Sequence, residues 1–118
     1  MPVTCEVDKT RDFATVTFAG AFNRQDVEKA VADFVARGGM TCRHIFEFRQ
    51  PQSSFGYEAI RDITQGLAGK SLGRPVAFVG DNDLAFEVCS TIVRFIGEAA
   101  PCRAFTSRAE AEVWLKTA

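Results

Sequence analysis

The sequence lacks the features that mark membrane, secreted and nucleic-acid-binding proteins. No apolar stretch approaches the roughly 20 residues that a helix needs to cross a bilayer. Its 14 basic and 15 acidic residues are well mixed and leave a net charge of −1, so no basic face is available for a phosphate backbone or a membrane surface. The first residues alternate like a strand and do not read as a signal peptide. We therefore expect a cytoplasmic protein whose partners include neither nucleic acid nor membranes.

Reactive side chains are also scarce. Histidine occurs once, and the 4 cysteines form no Cys-x-x-Cys pair. Each cysteine (Cys5, Cys42, Cys89 and Cys102) lies in or beside an apolar segment, which predicts buried free thiols. Cys42 and His44 would face the same side of a strand, but two ligands do not make a metal site. We expect neither a metal ion nor a cofactor.

The composition that remains is that of a globular domain. Hydrophobic residues make up 47% of the 118 positions and charged residues 25%, which is ordinary for a folded protein. Phe accounts for 11 aromatic residues beside one Trp and one Tyr, and a ring without a polar group fills cores. These values predict a single domain over residues 1–118.

Segments with strand-like and helix-like hydrophobic periodicity alternate along the chain. Strand-like alternation or unbroken apolarity covers Val3–Val7, Phe13–Ala19, Arg43–Phe48, Pro75–Val79 and Cys102–Phe105. Helical spacing follows Asn23, covers Tyr57 to Leu67, and follows Asp81-Asn82-Asp83 and Ser107. The order β-β-α-β-α-β-α-β-α predicts an α/β domain with a mostly parallel five-stranded sheet and an antiparallel first strand.

The predicted helix after Asp81-Asn82-Asp83 is apolar around more than half of its circumference. A surface helix needs an apolar stripe of only about 100°. The excess indicates either deep burial or a face shared with a second subunit. For the second case we expect a homodimer with Phe86, Val93 and Ile96 in the dimer face.

Three stretches of the sequence resemble the SpoIIAA-like (STAS-type) superfamily, in particular its uncharacterised bacterial branch described as STAS/CRAL-TRIO-like. They are Arg43–Arg49, Pro75–Asp83 and Phe105–Leu115, which are similar to the third strand, the central strand with its helix cap, and the terminal helix of that superfamily. With the element order, the resemblance spans nearly the whole chain. It implies a superhelix of four β-α turns and a regulatory module that binds proteins.

In signalling members of that superfamily, a serine after the third strand is phosphorylated at a helix N-terminus. The equivalent stretch here contains Ser53 and Ser54, although Gln52 replaces the usual Asp. The resemblance therefore makes both serines candidates for phosphorylation, where a phosphate would gain from the helix dipole. The alternative is that Ser54 only caps the following helix.

Polar side chains should gather at the carboxyl ends of the parallel strands, where open α/β sheets bind ligands. The predicted ligand or partner surface is Arg49, Ser53, Ser54, Asp81, Asn82, Ser107 and Arg108. Asp81-Asn82-Asp83 would offer oxygen ligands to a divalent cation, or would simply cap a helix.

No catalytic constellation is recognisable in the sequence. The first hypothesis is a non-enzymatic, STAS-like interaction or regulatory module with a protein partner. The second is a small-molecule-binding protein or enzyme that uses the polar loops.

Overall fold

The computed structural model describes residues 3–49, 74–99 and 101–118. The strands are β1 (Val3–Asp8), β2 (Phe13–Ala19), β3 (Arg43–Arg49), β4 (Val76–Gly80) and β5 (Cys102–Phe105). The helices are α1 (Arg24–Ala36), α2 (Asp83–Ile96) and α3 (Arg108–Thr117), and short 3-10 turns follow α1 (Gly39–Thr41) and α2 (Gly97–Ala99). The helix predicted over Tyr57 to Leu67 lies outside the described residues.

The five strands form one sheet in the order β1-β2-β3-β4-β5. β1 runs antiparallel to β2, and every later pair is parallel. The predicted α/β class, the mixed sheet and the antiparallel first strand are therefore confirmed.

Local sequence signals determine where the three helices begin. Asn23 caps α1 in a capping box with Asp26, each side chain bonding the other residue's backbone N–H at 2.9 Å. Asn82 caps α2, and the Ser107 hydroxyl accepts from the Glu110 N–H at the start of α3. Each cap satisfies a donor that the first helical turn leaves without a partner.

β4 and α2 approach each other closely at Gly80. A Cβ atom at this position would lie 2.5 Å from the Ala85 carbonyl carbon and from the Phe86 nitrogen. Only a glycine allows the first turn of α2 to pack directly on the end of the strand.

Each face of the sheet carries its own hydrophobic core. On one face, the Phe18, Phe46 and Phe78 rings stack across β2, β3 and β4 with centroids 6.4 and 5.5 Å apart, and α1 and α2 cover them. The other face packs Ile45 and Val79 against α3, and the buried α3 side chains are Ala111 and Leu115. Because β3 and β4 are covered on both faces, their sequences are nearly continuous apolar runs.

Arg43 connects three distant parts of the chain at the amino end of β3. Its guanidinium donates to the carbonyls of Arg11 (3.2 Å), Asp12 (3.3 Å) and Leu115 (3.2 Å). The turn between β1 and β2 and the last turn of α3 are therefore held by one side chain.

Candidate functional site

A buried carboxylate lies at the carboxyl end of β3. Glu47 is 5% exposed, and its Oε1 atom is 2.9 Å from Arg49 Nε and Nη2 and 3.5 Å from Arg108 Nη1. A buried carboxylate needs such partners because removing a charge from water is costly. Arg49 and Arg108, both predicted for the ligand surface, are thus brought together, and they meet on an acid that the sequence did not identify.

The strand register explains the position of Glu47. In the parallel ladder it lies between Thr17 of β2 and Val79 of β4. Side chains alternate along a strand, so Glu47 and Arg49 point to the same face, the one that α3 covers. Arg108 is the first residue of α3 and reaches Glu47 from above the sheet.

Each of the three guanidinium nitrogens of Arg108 has a different partner. Besides Glu47, its Nε donates to Glu112 Oε1 at 3.2 Å, and its Nη2 donates to Thr15 Oγ1 at 3.3 Å. These contacts fix the start of α3 over β2 and β3. The cluster of Glu47, Arg49 and Arg108 therefore ties the sheet to the start of α3, and Glu112 supplies the second carboxylate that balances the two guanidinium groups.

The other predicted surface residues have local structural roles. Asn82 and Ser107 are helix caps, and the Asp81 N–H donates to the Phe48 carbonyl at 3.3 Å. Within the described ranges no group of three metal-ligating side chains occurs, and Asn82 of the Asp81-Asn82-Asp83 segment caps α2. Ser53 and Ser54 lie outside the described residues.

The imidazole of His44 is buried and does not contact the neighbouring thiol. Its Nδ1–H donates to the Cys42 carbonyl at 2.8 Å, Nε2 has no partner among the described residues, and the side chain is 1% exposed. Burial lowers the pKa of His44 to about 4. The Cys42 thiol donates instead to the Gly38 carbonyl at 3.8 Å, so no thiol–imidazole pair forms.

All four thiols are free, as the sequence predicted, but only two of them are buried. Cys42 and Cys89 are buried, whereas Cys5 and Cys102 are partly exposed. Burial raises the pKa of Cys89 to about 12 and also raises the pKa values of Cys5 and Cys102. A nucleophilic cysteine needs a lowered pKa, which none of these three has.

A cleft of about 360 Å³ runs alongside α3 on the open side of the sheet. Its floor is formed by Phe13, Thr15 and Leu115, and charged side chains of both signs line its walls. Arg108 belongs to the cleft, but Arg49 and Asp81 are not among its lining residues. It is therefore a separate concavity from the predicted surface at the strand ends.

The apolar surface of α2 is only partly used inside the domain. Ala85, Val88, Cys89, Ile92 and Ile96 are buried. Ile96 is 7% exposed, so the core occupies this member of the predicted dimer face and leaves little of it for a second subunit. The apolar residues that keep accessible surface are Phe86 and Val93, which are half-buried, and Leu84 and Phe95, which are each 54% exposed.

The sequence and the fold were compared with those of known proteins. No family model matches the sequence, and no curated protein is significantly similar to it. A crystal structure of an uncharacterised DUF3478 protein from Shewanella loihica PV-4, described as having a SpoIIAA-like fold, superposes with a TM-score of 0.62. The sequence identity is 11%, over 96% of this chain and 91% of the other.

The chain therefore has a SpoIIAA-like fold, as the sequence resemblance predicted. The neighbour is itself uncharacterised, so the likeness extends to the fold alone. None of the helices in the described ranges has the length and apolarity that crossing a bilayer requires.

Proposed function

We propose that this chain is a non-catalytic, STAS-like interaction module of the cytoplasm, and that it binds a protein partner through α2. The observation that carries the proposal is the apolar surface that α2 keeps after the core has formed. Leu84 and Phe95 are each more than half exposed on one flank of the helix, and Phe86 and Val93 keep half-buried apolar surface on the opposite flank. Large apolar side chains concentrated on one element are typical of a protein-binding surface.

The polar groups support the same proposal because folding already uses them. Arg49 and Arg108 pair with Glu47, Arg108 also pairs with Glu112, and Asn82 and Ser107 cap helices. The buried imidazole of His44 is neutral at physiological pH, since its pKa is about 4. These side chains hold the domain together and leave recognition to the apolar helix.

The test is partner capture with matched surface variants. The tagged protein is incubated with lysate of its source organism, and retained proteins are identified by mass spectrometry. We expect one or a few proteins to be retained by the wild type and lost with Phe95→Gln or Phe86→Gln. The control is Val113→Gln on α3, where an apolar side chain that is 64% exposed is removed from a different surface.

Two further measurements make the result decisive. Thermal unfolding of each variant establishes that the lost binding is not lost folding. Equal retention by wild-type and α2 variants would overturn the α2 assignment, and reproducible turnover of a metabolite by the pure protein would overturn the non-catalytic assignment.

The cleft beside α3 favours a second candidate function, the binding of a small molecule. An apolar floor with convergent polar groups in a volume of about 360 Å³ is the usual form of a ligand site. The cleft carries acidic side chains on β1 (Glu6 and Asp8) and basic side chains around α3 (Arg43, Arg108 and Lys116). A ligand with charges of both signs would suit this lining.

A thermal-shift screen distinguishes the second candidate from the first. Zwitterionic metabolites should raise the melting temperature of the wild type but not that of Lys116→Glu. Phe95→Gln, which is remote from the cleft, should respond like the wild type. An unchanged melting temperature across the screen counts against the cleft as a ligand site.

A further inference from the structure

β1 is the first edge strand of the described sheet, and no described strand pairs with the backbone groups on its outer side. In an antiparallel pair, alternate residues direct both N–H and C=O to the same side. The Cys5 carbonyl accepts a hydrogen bond from Arg37 Nη1 at 2.7 Å, so Cys5 points away from β2. Val3 and Val7, two residues to each side, share that direction and have no other strand beside them in the described sheet.

Proteins usually protect such edges with short strands, prolines, bulges or charged side chains. β1 has 6 residues, and its pairing with β2 runs without a bulge from Val3 to Asp8. Within the described ranges, the side chain that hydrogen-bonds to its outer backbone is Arg37, which is 46% exposed and can leave the edge by rotation of its side chain. The opposite edge strand, β5, has only 4 residues and follows Pro101.

Two open grooves lie along this edge. One, of about 550 Å³, is lined by Val3, Thr4 and Cys5 and by α1 residues including Lys29 and Asp33. The other, of about 590 Å³, continues past Glu6 to Thr10 and includes Arg37. There is therefore space along the edge on both sides of the Arg37 contact.

The charges on the α1 side of the groove have a self-complementary order. Asp26, Lys29, Asp33 and Arg37 are three or four residues apart, so they lie on one side of the helix. Two such helices placed antiparallel, with an axis near residue 31, bring Lys29 opposite Asp33 and Asp26 opposite Arg37. Ala30 lies beside the axis, where a small side chain permits close helix packing.

A two-fold axis at Cys5 would pair β1 with the β1 strand of a second copy, next to the axis that relates the two α1 helices. Cys5 lines one groove together with Ala30 and Asp33, so Cys5 and the middle of α1 lie at a similar level and one two-fold axis can pass close to both. The axis at Cys5 places Val3 opposite Val7 of the second copy and Glu6 opposite Thr4 of the second copy. No side chains of like charge therefore face each other in these pairs. A two-fold interface requires this reciprocity of contacts.

We propose that a second copy of this chain pairs with the first through β1, antiparallel about a two-fold axis at Cys5, to form one continuous sheet across the dimer. The facing pairs of Val3, Cys5 and Val7 exchange backbone hydrogen bonds. Arg37 leaves the Cys5 carbonyl and pairs with Asp26 of the second copy. This inference does not depend on the proposed function, whose partner binds α2.

Cysteine cross-linking tests the geometry directly. Directly opposed residues of this kind have Cα atoms about 5.5 Å apart, within the range of a disulfide. Copper–phenanthroline oxidation of the full chain should give a covalent dimer that Cys5→Ser abolishes. Cys102→Ser is the matched control, because Cys102 is equally half-buried but lies on β5. A covalent dimer formed through Cys102 instead of Cys5 would overturn the proposal.

Light scattering over a series of protein concentrations tests the association itself. We expect a dimer for the wild type and Cys5→Ser, and a monomer for Cys5→Pro, because proline removes an edge N–H that the isolated chain does not need. Lys29→Asp should weaken dimerisation by about tenfold through two symmetric contacts, and adding Asp33→Lys should restore it. A wild-type monomer over the whole series refutes the proposal.

The two proposals can fail separately. Loss of partner capture by the α2 variants with the dimer intact supports binding through α2 alone. A monomeric wild type that still captures a partner through α2 removes only the β1 interface.

Discussion

Protonation of His44 should make the protein lose stability in mild acid. Burial lowers the pKa of His44 from its ordinary 6.5 to about 4, the hydrogen bond to Cys42 acts in the opposite sense, and the positive charge of Arg74 adds to the lowering. The folded state therefore binds this proton more weakly than the unfolded chain does. Its contribution to stability is complete above pH 6.5 and is lost progressively as the pH falls towards 4.

The magnitude follows from the difference between the two pKa values. Each pKa unit corresponds to about 1.4 kcal/mol, so the change from 6.5 to about 4 amounts to about 3 kcal/mol of unfolding free energy. That loss is a large fraction of the 5–15 kcal/mol, roughly, by which small domains are stable. The Phe34 and Phe46 rings, with centroids 5.2 and 5.6 Å from the imidazole, leave no room for water to solvate the cation.

The assay is urea unfolding at several pH values between 7 and 4, followed by the fluorescence of Trp114. Carboxylates also titrate in this range, so the informative quantity is the difference between wild type and His44→Phe, which cannot titrate at this position. We expect that difference to change by about 3 kcal/mol in favour of the variant as the pH falls.

Two measurements guard against a misleading variant. His44→Leu is a second non-titrating substitution in case a phenyl ring overpacks the site, and it should give the same slope. The imidazole proton resonances, followed by NMR, should stay in their neutral position down to about pH 5. Parallel pH profiles for the wild type and both variants would refute this account of His44.

Three further predictions concern stability and reactivity. Glu47→Gln should lower the unfolding free energy by about 2 kcal/mol, because it removes the buried carboxylate that Arg49 and Arg108 share. Glu112→Gln, which removes an exposed partner of Arg108, should cost less than about 0.5 kcal/mol in the same denaturation experiment. Gly80→Ala should lower the unfolding free energy by more than about 1 kcal/mol, because the new Cβ would clash with the α2 backbone. Gly20→Ala is the control: a Cβ there meets nothing within 4 Å, so its loss of stability should come only from the positive φ of 70°. In native protein at pH 8, Cys89 should resist alkylation by iodoacetamide, because it is buried and burial raises its pKa to about 12. Unfolding in urea should make it reactive. Rapid alkylation of Cys89 in the native protein, detected by mass spectrometry, would contradict this prediction.

The elements of this fold could be predicted because their signals are local. Asn23, Asn82 and Ser107 cap helices at the predicted positions, and β2 spans the predicted Phe13–Ala19. A cap or an alternation depends on residues a few positions apart, which a single sequence contains in full.

The contacts of the candidate site could be predicted only in part. Arg49 and Arg108 were expected at the same end of the sheet, since topology places strand ends together, and they meet there. Glu47 was missed because its importance depends on the strand register and on which helix covers its face. The available signal was the position of Glu47 within an otherwise apolar strand. That signal indicates a structural role only when the cationic side chains that contact the carboxylate are known.

The α2 helix shows what hydrophobic periodicity alone cannot predict. Helical spacing identifies an apolar stripe that is too wide, but it does not tell which flank the core covers. The structure buries Ile96 and leaves Leu84 and Phe95 accessible. The predicted dimer on this helix stays a prediction, as does phosphorylation of Ser53 and Ser54.

The position of Arg43 has a consequence for how the domain opens. Two of its three carbonyl acceptors belong to the first hairpin, and the third belongs to a helix turn 72 residues beyond Arg43 itself. Any opening that displaces the Arg43 guanidinium removes hydrogen bonds from the hairpin turn and from the end of α3 together. Amide protons at the two extremes of the sequence should therefore exchange with solvent in step, so that the beginning and the end of this chain behave as a single cooperative unit.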